Sequence, residues 1–200
     1  MRSIVFRVWA RGGAIRPVAA FARLDKQALD RIEARLADDG DDDPLDAAFE
    51  RFEQTQPALA EHITQVLSRP IDETALGLGY FLSIAIWLAF ESQFGARLRT
   101  VELEEMRATD ASLDLEESLR AENAEDPATV DDVIAQEQPD AANFIHEHVE
   151  AALDADPGPP ADVGDVDTVY RAALVVLLSL SHAVEADERV PVAASREILA

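Results

Sequence analysis

Residues 74–90, TALGLGYFLSIAIWLAF, are the least polar run in the chain and limit what the rest of it can be. The run carries no charge. Thr74, Ser83 and the phenol of Tyr80 are its only polar groups, and Asp72, Glu73 and Glu91 bracket it. A helix that is apolar on every side has to be buried, in lipid or in protein. A membrane span takes about 20 predominantly apolar residues and is oriented by flanking Lys and Arg. This run is shorter, holds Gly77 and Gly79, and is flanked by acids. It therefore reads as a core helix, about 25 Å long at 1.5 Å per residue, with the remaining chain folded around it. Membrane association through residues 74–90 is the alternative.

Charge is distributed unevenly around that core. Residues 1–24 hold five arginines (Arg2, Arg7, Arg11, Arg16, Arg23) and no acid, whereas the remaining 12 basic residues and all 40 acids lie in residues 25–200. A body with that balance repels nucleic-acid phosphates and attracts basic partners. The chain contains no cysteine, which excludes disulfides, thiolate metal sites and a cysteine nucleophile. A hydrophobic fraction of 48% over 200 residues is that of a globular chain with a sizeable core. The apolar start Ile4-Val5-Phe6 is cut short by Arg7, so no secretory pattern is read and a cytoplasmic protein is expected.

Along the chain, residues 3–9 are β-branched and aromatic and predict a short strand. Gly12-Gly13 would turn it into a hairpin with residues 14–23, and a helix from Pro17 is the rival. Asp25 caps a first helix whose inner face is Leu29, Ile32 and Leu36, stopped by Gly40. Asp43-Pro44 opens a second helix, Pro57 starts or kinks the helix over 58–68, and Asp72 caps the central one, which runs to about Arg97. Leu113, Leu115 and Leu119 predict an acidic helix over about 113–123. Asp126-Pro127 repeats the cap-and-proline start, and residues 141–153 are helical. Residues 154–165, with three prolines and two glycines, predict a loop. A second apolar helix covers about 168–186, and residues 187–200 read as a tail.

Two stretches repeat one plan. DDPLDAAFERFEQTQPALAEHITQVL (42–67) and EDPATVDDVIAQEQPDAANFIHEHVEAAL (125–153) each run from an acid-Asp-Pro start through a Gln-Pro break into an amphipathic helix. Aligning Pro57 with Pro139 pairs Gln56 with Gln138. Beyond the 154–165 loop a longer offset pairs Thr74 with Thr168 and Glu91 with Glu185. The expectation is a mainly α, pseudo-symmetric helical bundle from an internal duplication. Its parts are a docked basic segment (1–24), a first repeat (25–99) and a second repeat (100–186), the two repeats forming one domain.

Candidate chemistry is sparse. His182 and Glu185, three apart, with Glu91 as the repeat partner of Glu185, are the metal candidates, since carboxylate-bridged metal sites in helical bundles use such steps. The step here is reversed to His-x-x-Glu, occurs once, and Leu88 stands where a second histidine would fall. No Gly-x-Ser-x-Gly elbow or phosphate-binding loop is present. The Gln-Pro corners Gln56-Pro57 and Gln138-Pro139 are the most distinctive local feature. They read either as helix breaks in which the amide satisfies free backbone groups or as paired recognition corners. The leading expectation is a non-catalytic, acidic, protein-interaction module with a basic protein partner and no cofactor, nucleic acid or membrane. A metal-binding or enzymatic bundle using His182, Glu185 and Glu91 is the rival. Within the basic segment, burial of Phe6 and Trp9 is expected to dominate its docking over exposed charge pairs.

Overall fold

The computed structural model describes residues 13–37, 44–122, 129–154 and 161–187. Among them it forms eight α-helices: α1 (Lys26–Leu36), α2 (Pro44–Thr55), α3 (Pro57–Leu67), α4 (Glu73–Phe94), α5 (Leu103–Glu122), α6 (Val130–Glu137), α7 (Pro139–Leu153) and α8 (Val163–Ala183). The expectation of a mainly α bundle holds. The expected strand at residues 3–9, with Phe6 and Trp9, lies outside the described residues. Residues 13–19 form neither the second arm of a hairpin nor a helix from Pro17; they run extended into a single 3₁₀ turn, Ala20–Ala22.

The two apolar helices form the centre. Their N-caps interlock: Asp72 Oδ2 accepts the Asp162 N–H at 2.8 Å, and Asp165 Oδ2 accepts the Asp72 N–H at 2.9 Å. At the far end the Arg99 N–H donates to the Ala183 carbonyl at 3.2 Å and the Glu185 N–H to the Arg97 carbonyl at 2.8 Å, around a Leu98–Val184 bridge. With like ends together, α4 and α8 are parallel and in contact along their length. Gly79 marks the close approach, because a Cβ there would meet Val169 and Leu67 at 2.9 Å. Helices α1, α2, α3 and α7 close around α4, and α3, α5 and α7 around α8. Residues 82–90 are consequently all buried, although Glu73–Arg97 is long and apolar enough by composition to cross a membrane.

Local chemistry sets the boundaries. Asp25, Asp72 and Asp162 cap α1, α4 and α8 by accepting N–H groups of the first turn. Gly95, at φ +53°, ends α4 in a conformation that favours glycine. Thr129 caps α6, in a reciprocal box with Asp132, and the expected Asp126-Pro127 start lies outside the described residues. Helix α8 begins inside the expected loop, since Asp162 accepts the Gly164 and Asp165 N–H groups and holds the first turn. Helix α5 begins ten residues before the expected start. Over that added stretch only Met106 is buried, so no apolar period announces it.

Candidate functional site

Gln56 and Gln138 occupy the same local structure. Each leaves the helix before it at nearly the same dihedrals (φ −133°, ψ 58° and φ −139°, ψ 67°), and each is followed by a proline at the first helical position. Proline lacks an N–H and suits that position, while biasing the residue before it away from the helical region. The amides do the same thing at long range. Gln56 Nε2 donates to the Arg99 carbonyl at 3.1 Å, and its Oε1 accepts the Val101 N–H at 2.9 Å. Gln138 Nε2 donates to the Ala22 carbonyl and its Oε1 accepts the Leu24 N–H, both at 3.0 Å. In each case one amide grips the backbone on either side of one residue, just ahead of a helix. The segment leading into α5 is thus held by the α2–α3 corner, and the one leading into α1 by the α6–α7 corner. Both glutamines are buried, at 2% and 0% exposure, so neither amide faces a partner. Of the two readings of these corners, the internal one describes the geometry, with only Pro57 and Pro139 exposed.

At the second corner the grip extends upstream into a groove. The backbone of residues 13–24 crosses α5, α6 and α8 and meets buried polar side chains along the way. Glu116 accepts the Ala14 N–H, and Glu137 Oε2 accepts the Val18 N–H at 2.7 Å. His182 Nε2 lies 3.0 Å from the Arg16 carbonyl, so that nitrogen carries the proton and donates. Ala14, Ile15, Val18, Ala22 and Leu24 are buried while Arg16, Pro17, Ala19 and Arg23 face outward. Gln93 finishes the clamp, accepting from the Asp25 N–H at 3.0 Å and donating to the Arg23 carbonyl at 2.9 Å. The groove therefore holds an extended backbone by its N–H and C=O groups and takes its apolar side chains inward. Burial pushes the His182 imidazole down to about 4, against the opposing pull of its hydrogen bond to the Arg16 carbonyl, so the ring is neutral at pH 7.

The metal candidates are not brought together. Helix α8 ends at Ala183, so Glu185 does not share a helical face with His182, because the chain turns there to bridge Leu98. Glu91 pairs with Arg51 at 2.6 Å. The helix caps Asp72 and Asp162 also place the two core helices at an offset of 90, which does not pair Glu91 with Glu185. Among the described residues no group of three or more His, Asp or Glu could hold a metal ion. Ser83 and Ser181 donate to the carbonyls of Gly79 and Leu177 one turn earlier, each at 2.7 Å. The buried carboxylates Glu116 and Glu137 were not singled out in the sequence. Glu116 sits one turn beyond Leu113 on the same face, and that position was the available signal.

The fold and this site define an all-α bundle whose buried polar side chains read the backbone of extended chain. No protein-family model matches the chain, and no curated protein or solved structure matches it.

Proposed function

We propose that the chain is a non-catalytic, acidic α-helical interaction module, built from two copies of a four-helix unit, that takes an extended basic segment of a partner protein. The observation that carries this is the groove ladder of Glu116, Glu137, Gln138 and His182. It already holds an extended, arginine-bearing stretch in cis by its backbone. Backbone-directed hydrogen bonds with pockets for alternate side chains are a general mode of peptide capture. The balance of 12 basic residues against 40 acids after residue 24 favours a basic occupant and its rapid encounter. The duplication is supported by the matched Gln-Pro corners and by the reciprocal placement of α1 against α4 and α7 and of α5 against α8 and α3. A cytoplasmic setting goes with this reading.

The test uses a fluorescent peptide with the sequence of residues 13–25, titrated with the wild-type chain and with Val18→Asp, which loosens the resident segment. Tighter binding by the variant, weakened by added salt, is the expected result. A variant that keeps its helical circular dichroism yet binds the peptide no better than wild type sinks the reading. So does stoichiometric iron, manganese or zinc in the purified protein, which would favour the metal-binding rival.

A further inference from the structure

The groove that holds residues 13–24 is more selective than an extended backbone alone requires. His182 Nε2 donates to the Arg16 carbonyl at 3.0 Å, and Glu137 Oε2 accepts the Val18 N–H at 2.7 Å. These two bonds straddle Pro17 and ask nothing of its nitrogen. Proline has no N–H to give and holds φ at about −65°, so it fills the position between the two bonds without losing one. It also biases the residue before it to extended backbone, and Arg16 lies in the extended stretch.

Burial supplies the period. Ile15 and Val18 are each 5% exposed, while Arg16 and Pro17 between them face outward. In a β-strand, residues three apart point to opposite faces. In polyproline II three residues make one turn, about 9 Å long, and residues three apart share a face. The backbone after Val18 agrees. Ala19 has φ −64° and ψ 139°, and Arg23, past the 3₁₀ turn, has φ −79° and ψ 133°. Both pairs belong to polyproline II, far from the φ of about −120° to −140° of paired strands. The outward residue before the proline also has an acid to answer its charge. Arg16 stands close enough to Glu105 to help hold that carboxyl below its usual range, after the larger effect of Arg99.

We propose that this groove reads polyproline II, and that its ligand is a proline-containing segment of the form apolar-Arg-Pro-apolar, as Ile15-Arg16-Pro17-Val18 is. For a ligand in trans this narrows the partner reading above and rests on it; the choice of conformation is tested separately, on the resident segment. In the full-length chain Ala19→Pro should melt within about 1 °C of wild type or above it, because the φ and the outward position of Ala19 already suit proline. Val18→Pro should melt well below Val18→Ala, which also loses the buried valine but keeps the N–H that Glu137 accepts. In trans, the Val18→Asp chain is titrated with fluorescent peptides of residues 13–25. The unaltered peptide should bind about tenfold tighter than one carrying Pro17→Val with Val18→Ala, which spaces the apolar side chains for a strand. The Ala19→Pro peptide should bind at least as tightly as the unaltered one. Equal binding of the strand-spaced peptide, or an Ala19→Pro chain that melts as low as Val18→Pro, overturns the proposal. If no peptide binds while the melts come out as expected, the ligand in trans falls with the partner reading, and the groove's selection of polyproline II in its own segment stands.

Discussion

Gln138→Leu is the substitution that most directly tests how the two halves hold each other. The amide is fully buried; it donates to the Ala22 carbonyl at 3.0 Å and to Ser181 Oγ at 2.7 Å, and accepts the Leu24 N–H at 3.0 Å. Leucine fills similar space but leaves that carbonyl and that N–H buried and unpaired, with Ala22 at 0% and Leu24 at 2% exposure. Each orphaned group costs about 1–3 kcal/mol, and burial of the new leucine offsets part of the sum, leaving a net loss of about 3 kcal/mol. For a chain of this size about 2–4 °C of melting temperature goes with each kcal/mol, so a fall of about 6–12 °C is expected by calorimetry. Gln56→Leu should lose less, about 2 kcal/mol, because it breaks two such bonds and one of them is only part-buried. Gln138→Glu separates hydrogen bonding from shape. It keeps the outline and the acceptor, loses the donor, and sets a carboxylate against the Ala22 carbonyl, so at pH 7 it should be at least as damaging as leucine. If Gln138→Leu melts within 1 °C of wild type, or Gln138→Glu is neutral, the clamp is not what joins the halves.

Three further outcomes follow from the same structure. Gly77→Ala should stabilise by about 1 kcal/mol through helix propensity, since a Cβ there meets nothing within 4 Å, whereas Gly79→Ala, 2.9 Å from Val169, should destabilise in the same chemical melt despite the same propensity gain. Because burial holds His182 at about 4, the unfolded chain takes its proton first. Its contribution is therefore complete above about pH 6.5 and is lost as pH falls toward 4, up to about 3 kcal/mol, and His182→Gln should flatten that limb of the stability–pH curve. Arg171→Met should lower stability by about 1–2 kcal/mol, less so at high salt, because it leaves Asp110, Asp114 and Glu117 facing one another without their shared cation.

Local chemistry was enough to read much of this molecule. The charge-free run of residues 74–90 could only be buried, Asp25 and Asp72 could cap, and proline at 57 and 139 had to interrupt the helix before it. All of these depend on residues within a turn or two of one another. The sequence alone also singled out both glutamines before proline, because a polar side chain at a helix break has free backbone groups to serve. Which groups it serves was not local. Their partners lie 43 to 116 residues away, and only the close packing of α4 on α8 brings each corner to the other half's lead-in segment. The same holds for Glu116 and Glu137, whose burial follows from the backbone laid over them, and for the first half of α5, where Met106 alone is buried and no apolar period forms. The His182–Glu185 step failed for a tertiary reason too. The chain leaves the helix after Ala183 to bridge Leu98, and no spacing rule within one helix can foresee a bond made to another. Periodicity and capping fixed the elements; the long-range pairing of buried polar groups with distant backbone decided how they are joined.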